Sequence, residues 1–383
     1  MAGLIIEGLR KEFQSGNTPV VAVDDLTLTI EDGELLVLLG SSGCGKTTTL
    51  RLVAGLEQGT RGRISIGDRV VYDAARRIDM SPNRRNIGMV FQSYALWPHM
   101  TVRRNIAYPL RARRIREGLS DGWVEQAASL VDCTGLLDRY PSQLSGGQQQ
   151  RIAVARALVA RPTLLLFDEP LSNLDARLRD QLRHEIHQLH RRVGFTGLYV
   201  THDQAEALAI GDRLAIMRDG RIEQLGTPRE VFERPATEYV ASFIGVGNRI
   251  DLHTEAGRWA SSSGQLVGDV PALAGENATV RVRPEAVRLG SVESMCRGEM
   301  GVSGATIVDA TYAGTHLDAI ARFGDGRTIH ARVPLATDSS YDVGSDVTVI
   351  VNTSKALFFA ADGSPLPAEP VKAFVTTSSQ AVS

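Results

Sequence analysis

The sequence predicts an α/β domain with a largely parallel sheet, followed by a smaller all-β domain, and three features carry that reading. From about Leu4 to Phe243, short β-branched or leucine runs alternate with helical stretches, the pattern of strands connected by helices. Three of those runs, Leu35 to Leu39, Leu164 to Phe167 and Leu198 to Val200, are apolar throughout and read as buried strands. Beyond Gly245 the helical periodicity fades into short alternating segments, Ala278 to Val282, Ala319 to Phe323 and Val347 to Val351, set between Gly and Asp turns. These suit a small barrel or sandwich.

Length agrees, since 383 residues exceed the size at which one hydrophobic core stops growing. The expected division is 1–244 and 245–360, with a helical subdomain at about 93–143 inside the first part. The remainder, 361–383, is rich in Pro, Ser and Ala with little apolar pattern and is expected to be poorly ordered. No internal repeat is present.

Composition excludes several classes. A formal net charge of -2 disfavours a nucleic-acid partner. Cys44, Cys133 and Cys296 are widely spaced and odd in number, which fits neither a disulfide framework nor a metal cluster and points to a reducing compartment, the cytoplasm. Met1 to Glu7 lacks the basic and apolar stretches of a secretion signal, and no apolar run is long enough to span a bilayer. Membrane association is therefore expected only through a partner.

The first chemical motif follows the strand Leu35 to Leu39. Gly40-Ser41-Ser42-Gly43-Cys44-Gly45-Lys46-Thr47 opens a helix bearing Leu50, Val53 and Ala54, which is the strand-loop-helix context of a phosphate-binding P-loop. The glycines let backbone N–H groups turn inward onto phosphate oxygens at a helix N-terminus. Lys46 adds a compact charge for the β- and γ-phosphates, and it is one of only four lysines among 42 Lys and Arg residues, so general usage does not explain it. Thr47 is the expected Mg²⁺ ligand, and Thr48 follows it in the first helical turn. Cys44 lies among backbone N–H groups and is assigned no catalytic role.

A second motif, Leu164-Leu165-Leu166-Phe167-Asp168-Glu169, ends an apolar strand in two carboxylates. One acid suits the metal and the other the attacking water, so Asp168 is assigned to Mg²⁺ and Glu169 to the general base. A third, Leu144-Ser145-Gly146-Gly147-Gln148, precedes the expected helix Gln149 to Ala160 and presents N–H groups and a helix dipole to an anion.

Taken in order, the P-loop, Gln92, Leu144 to Gln148, Asp168-Glu169, Ser172-Asn173-Leu174-Asp175 and His202 resemble the ATP-binding cassette (ABC) family over roughly Leu4 to Phe243. The resemblance implies a head-to-tail homodimer with ATP between one copy's P-loop and the other's Ser145-Gly146-Gly147-Gln148 signature. It also implies that Gln92 senses the γ-phosphate through Mg²⁺ and water, that Asp175 lies at the dimer seam, that His202 contacts the γ-phosphate and that Phe13 stacks on adenine. Ser93 to Met100 resembles the surface on which a transmembrane permease subunit docks, and the arginines of Arg111 to Arg116 read as a solvated helix face.

Direction comes from Gly226 to Phe232 and Phe243-Ile244-Gly245, which resemble the end of binding-protein-dependent importer cassettes. Arg283 to Arg288 and Tyr312-Ala313-Gly314 look like the OB-type (TOBE) domain attached to them. The implied function is ATP hydrolysis at the cytoplasmic face of the membrane, peripheral to permease subunits and served by an extracytoplasmic solute-binding protein. Likeness leans toward ferric iron, polyamine or phosphonate as cargo, with sugar import as the alternative. Soluble cassette ATPases of chromosome maintenance need long heptad arms between Lys46 and Asp168, and those of translation carry two cassettes; neither feature is present. A module that senses nucleotide without turnover would not need both Glu169 and His202.

Overall fold

The structure is a computed structural model that describes residues 2–15, 18–335 and 341–367. It divides into two compact units, Met1–Arg234 and Pro235–Ser383.

The first unit begins β1 (Ala2–Ser15), β2 (Thr18–Glu31), β3 (Leu35–Gly40), α1 (Lys46–Ala54), β4 (Arg61–Ile66), β5 (Arg69–Asp73), β6 (Ile78–Asp79) and β7 (Ile87–Val90). Helices α2 (Val102–Ala112), α3 (Arg116–Ser120), α4 (Trp123–Leu130) and α5 (Gly146–Leu158) follow. The unit closes with β8 (Leu164–Asp168), α6 (Ala176–Val193), β9 (Gly197–Thr201), α7 (Gln204–Ile210), β10 (Arg213–Arg218), β11 (Arg221–Gly226) and α8 (Pro228–Glu233).

Two sheets result. One is antiparallel in the order β2-β1-β4-β5-β6; the other has the order β11-β10-β3-β9-β8-β7 and is parallel except at β11. The three apolar runs of the sequence become β3, β9 and β8, side by side, so all three carboxyl ends open at one edge of the sheet. That edge is where open parallel sheets collect ligands. Leu36, Leu38, Leu166, Leu198 and Val200 share one core with Leu4, Ile6 and Ile64 of the antiparallel sheet and with Leu50, Leu52 and Val53 of α1.

Helix α1 has a poor intrinsic start, because Thr47, Thr48 and Thr49 are β-branched. Tertiary structure supplies what propensity does not. The Thr49 hydroxyl donates to the Gly45 carbonyl at 3.0 Å, and the last turn ends on Gly55 in the left-handed region at φ 76°. The orphan carbonyls of that turn are met by Arg85, which donates to Leu52 O at 2.7 Å, Val53 O at 3.0 Å and Met80 O at 2.7 Å while pairing with Asp79 at 3.0 Å. Burial lowers the Arg85 pKa, against the pull of Asp79.

Between Val102 and Leu158 the chain forms the four helices α2 to α5 and their connections. Thr101 caps α2, its side chain accepting from the Arg104 N–H. Arg113 departs from the solvated face expected of Arg111 to Arg116: its guanidinium turns back to Ile87 O at 2.6 Å and Asn86 Oδ1 at 2.9 Å. The stem is long enough to reach the start of β7 from the end of α2.

The second unit holds α9 (Glu238–Phe243), then β12 (Asn248–Glu255), β13 (Arg258–Ser261), β14 (Gln265–Gly268), β15 (Asn277–Val282), β16 (Val287–Gly290), β17 (Glu299–Tyr312), β18 (His316–Phe323), β19 (Thr328–Pro334), β20 (Asp346–Asn352), β21 (Leu357–Phe359) and β22 (Pro365–Leu366). Its sheets run β13-β12-β15-β21-β22 and β16-β20-β17-β18-β19, with β14 paired to β17. They enclose a core containing Leu252, Val280, Val302, Ile307, Ile329, Val349 and Phe358. The units divide ten residues before the expected 244, because α9 belongs with the strands: Glu238 pairs with Arg281 of β15 at 2.8 Å, and Arg283 donates to Ile244 O at 3.2 Å. Of the expected disordered tail, 361–367 is ordered, with β22 paired to β21, and 368–383 lies outside the described residues.

Candidate active site

The P-loop joins β3 to α1, and its backbone is set by close approach. A Cβ on Gly40 would lie 2.5 Å from the Met217 carbonyl oxygen and 2.6 Å from Cys44 Sγ; one on Gly45, at φ 105°, would lie 2.3 Å from the Ala22 carbonyl oxygen. Ser41, Ser42 and Gly43 form the exposed tip, with Gly43 at φ 82°. Lys46 is 6% exposed, and its ammonium donates to Gly40 O at 2.7 Å and Ser41 O at 2.9 Å, which holds the loop on itself. The Cys44 thiol is buried 3.7 Å from that ammonium.

Across the sheet edge, the Thr47 side chain hydrogen-bonds the Asp168 carboxylate at the end of β8. Burial pushes the Asp168 pKa up and the Glu169 charge adds to the rise, while Arg51 and the Thr47 bond oppose it. No cluster of three or more His, Cys, Asp or Glu side chains that could hold a metal exists among the described residues. A hydroxyl and one carboxylate fit a hard cation that brings phosphate and water oxygens of its own, as Mg²⁺ does.

Glu169 takes a left-handed backbone at φ 44°, its N–H donating to Val200 O at 3.0 Å. This conformation is strained for a side-chain-bearing residue, and it turns the carboxylate to within 3.0 Å of His202 Nδ1 beyond β9. The next loop bonds back on both sides: Ser172 Oγ donates to Glu169 O at 2.9 Å and Asn173 Nδ2 to Gln92 O at 3.0 Å. Asp175 then caps α6, accepting from the Leu178 N–H at 3.0 Å.

Ser145 caps α5 in a capping box, its Oγ accepting from the Gln148 N–H at 3.3 Å while Gln148 Oε1 accepts from the Ser145 N–H at 3.0 Å. The N–H groups of Gly146 and Gly147 lie in the first turn, ahead of the intrahelical ladder. A Cβ on Gly147 would meet Leu178 Cδ1 at 2.9 Å, and one on Gly146 would meet Leu174 Cδ2 at 3.3 Å. The signature turn thus packs on the segment around Asp175 of its own chain. Phe13 is half-exposed opposite Val20, with the Lys11 ammonium 4.5 Å from its ring centre, on the hairpin whose Ala22 touches Gly45.

The ABC transporter family model matches residues 23–172, and the TOBE domain model matches residues 280–359. The sn-glycerol-3-phosphate import ATP-binding protein UgpC 3 of Agrobacterium fabrum is 45% identical over 335 residues, 87% of this chain and 92% of that one. The chain belongs to the ABC transporter family. It is an ABC-type ATPase of the import class with a TOBE domain. The Fe(3+) ions import ATP-binding protein FbpC of Rhizobium etli is 46% identical over 313 residues, 82% of this chain and 85% of that one. The trehalose/maltose import ATP-binding protein MalK of Thermococcus litoralis is 51% identical over 245 residues, 64% of this chain and 65% of that one. No helix among the described residues of this ABC ATPase is long and apolar enough to cross a membrane.

Asp175, His202 and Phe13 lie outside the matched cassette segment. Two arginines that serve the cassette carry no sequence signal: Arg85, beneath α1, and Arg156, which holds the backbone after Gln92. Both are buried, and nothing local distinguishes them in a chain whose cations are nearly all arginine.

Because Gly45 combines φ 105° with contact to Ala22, Gly45→Ala is expected to strain the P-loop by about 2 kcal/mol or more. Calorimetry should show a melting temperature several degrees lower, and an unchanged melt would refute this account of the loop.

Proposed function

We propose that two copies of this chain close head to tail on two Mg-ATP molecules and use hydrolysis to drive import through permease subunits. In this reading Gly40 to Thr48 hold the phosphates of one nucleotide, and Ser145 to Gln148 of the second copy complete the clamp. Thr47 and Asp168 would hold Mg²⁺, with Gln92 reaching it through water; bound there, the ion would neutralise phosphate charge. Glu169 orients the attacking water, His202 holds that carboxylate in place and faces the γ-phosphate, Asp175 lies at the seam, and Phe13 stacks on adenine. The 3.0 Å contact between Glu169 and His202 beside the Thr47–Asp168 pair carries the proposal, because it aims a general base at the end of a phosphate cradle.

A groove of about 250 Å³, lined by Phe91, Trp97, Tyr108, Arg113 and Arg156 among others, supports docking of a permease helix at the cytoplasmic membrane face. Trp97 and Tyr108 pack there with ring centres 4.1 Å apart and ring planes tilted by 38°. The TOBE unit is read as a scaffold for dimer contacts. For the cargo, relatives named for sn-glycerol-3-phosphate and for trehalose/maltose stand beside one named for ferric iron, so the similarities favour the sugar alternative over the iron, polyamine or phosphonate lean.

The test is reconstitution in vesicles with its cognate permease subunits and binding protein. Trehalose or sn-glycerol-3-phosphate should stimulate ATP hydrolysis and accumulate. Stimulation by ferric iron alone would overturn the cargo, and hydrolysis indifferent to any binding protein would overturn import.

A further inference from the structure

Arg156 stands on α5, 6% exposed, and its guanidinium faces backbone rather than acid. Nη2 donates to Tyr94 O at 2.7 Å and Nη1 to Ala95 O, while the guanidinium carbon lies 5.1 Å over the Trp97 ring. Burial pushes the group down to about 10, so it remains charged at neutral pH. No carboxylate pairs with it among the described residues. A buried cation without a counter-ion is costly unless fixed dipoles replace the water it loses, and here two carbonyl dipoles do so.

Those carbonyls belong to unusual residues. Tyr94 at φ 58° and Ala95 at φ 50° are consecutive non-glycine residues in the left-handed region, directly after Gln92-Ser93. That backbone is strained for a residue bearing a Cβ and persists only where its surroundings over-determine it. A planar fork reaching both carbonyls at once does so, and a lysine ammonium would not match it.

We propose that Arg156 is a positioning residue that fixes the Gln92 segment to the helix whose first turn is the signature. Helix α5 is regular from Gly146 to Leu158, so about 16 Å of stiff rod separates Ser145 from Arg156. The Asn173 bond to Gln92 O ties the other side of the segment to the loop leading to Asp175. The residue that reads one copy's γ-phosphate and the turn that clamps the partner's nucleotide therefore move as one body. Trp97, beneath the same guanidinium, brings the docking groove into that body. The proposal rests on the reading of Gln92 as the γ-phosphate sensor.

The experiment compares the full-length protein with Gln92→Ala, Arg156→Gln, Arg156→Lys and the Gln92→Ala/Arg156→Gln double variant. Arg156→Gln should lower turnover at saturating ATP about tenfold or more with nucleotide affinity changed less than about threefold, and Arg156→Lys should fall between it and wild type. In the Gln92→Ala background, Arg156→Gln should add less than about a twofold further loss, because both changes remove one function. Amide exchange should rise at 93–97 while α5 stays protected. Multiplicative losses, or exchange rising along all of α5 with a lower melting temperature, would overturn the proposal and leave Arg156 a packing residue. If Gln92→Ala itself leaves turnover intact, the sensor reading falls, and unchanged exchange at 93–97 in Arg156→Gln or Arg156→Lys would overturn the tether separately.

Discussion

Glu169→Gln is expected to bind ATP as tightly as wild type and to hydrolyse it at least about a hundredfold more slowly. The amide keeps the size of the carboxylate and one acceptor oxygen, so the φ 44° turn and the bond from the Glu169 N–H to Val200 O should survive. What disappears is the carboxylate charge, 3.0 Å from His202 Nδ1, that in this proposal orients and deprotonates the attacking water. In the proposed assignment nucleotide affinity rests on the P-loop, Lys46 and the signature, none of which the change touches. The variant should accumulate as a stable ATP-bound dimer, visible by gel filtration with ATP and absent with ADP. Turnover at the wild-type rate would remove Glu169 from the mechanism.

Lys46→Ala should produce the opposite separation, losing nucleotide affinity together with turnover. A charge-assisted bond to phosphate contributes about 1.5–3 kcal/mol, which is roughly 10–200-fold in binding. The same ammonium joins Gly40 O and Ser41 O, so its removal also frees the loop that cradles the phosphates. Titration with a fluorescent ATP analogue measures the effect directly. Affinity within threefold of wild type would show that backbone N–H groups alone bind the nucleotide. Lys46→Arg would be no remedy, because the site is 6% exposed and offers no room for a wider fork.

The two expected losses separate binding from chemistry, and the same division marks what could be read without coordinates. The P-loop was legible because its geometry is encoded locally: Gly43 and Gly45 have positive φ, and Gly40 and Gly45 touch backbone that tolerates no side chain. The capping box at Ser145 and Gln148 is local in the same way. The three buried strands were legible because a strand covered on both faces shows no alternation. Contacts made by long side chains across the fold were not. Arg113 reads as part of a solvated face until its guanidinium reaches the Ile87 carbonyl of β7, Arg85 carries no local sign of its bonds to carbonyls of α1, and Arg156 depends on a left-handed pair more than sixty residues away in sequence. The expected boundary placed helix α9 with the first unit, and its allegiance to the second rests on contacts distant in sequence, among them the ion pair of Glu238 with Arg281 and the Arg283 bond to Ile244 O.

The strand order of the parallel sheet bears on how the protein is made. Strand β3 lies between β9 and β10, so the segment that launches the P-loop leaves the ribosome long before either neighbour exists. Six apolar residues must wait unpaired while more than 150 others are synthesised, a separation that makes such pairings slow to form. The nucleotide pocket is therefore a late product of biosynthesis, and a nascent chain halted before Gly197 lacks both strands that flank β3.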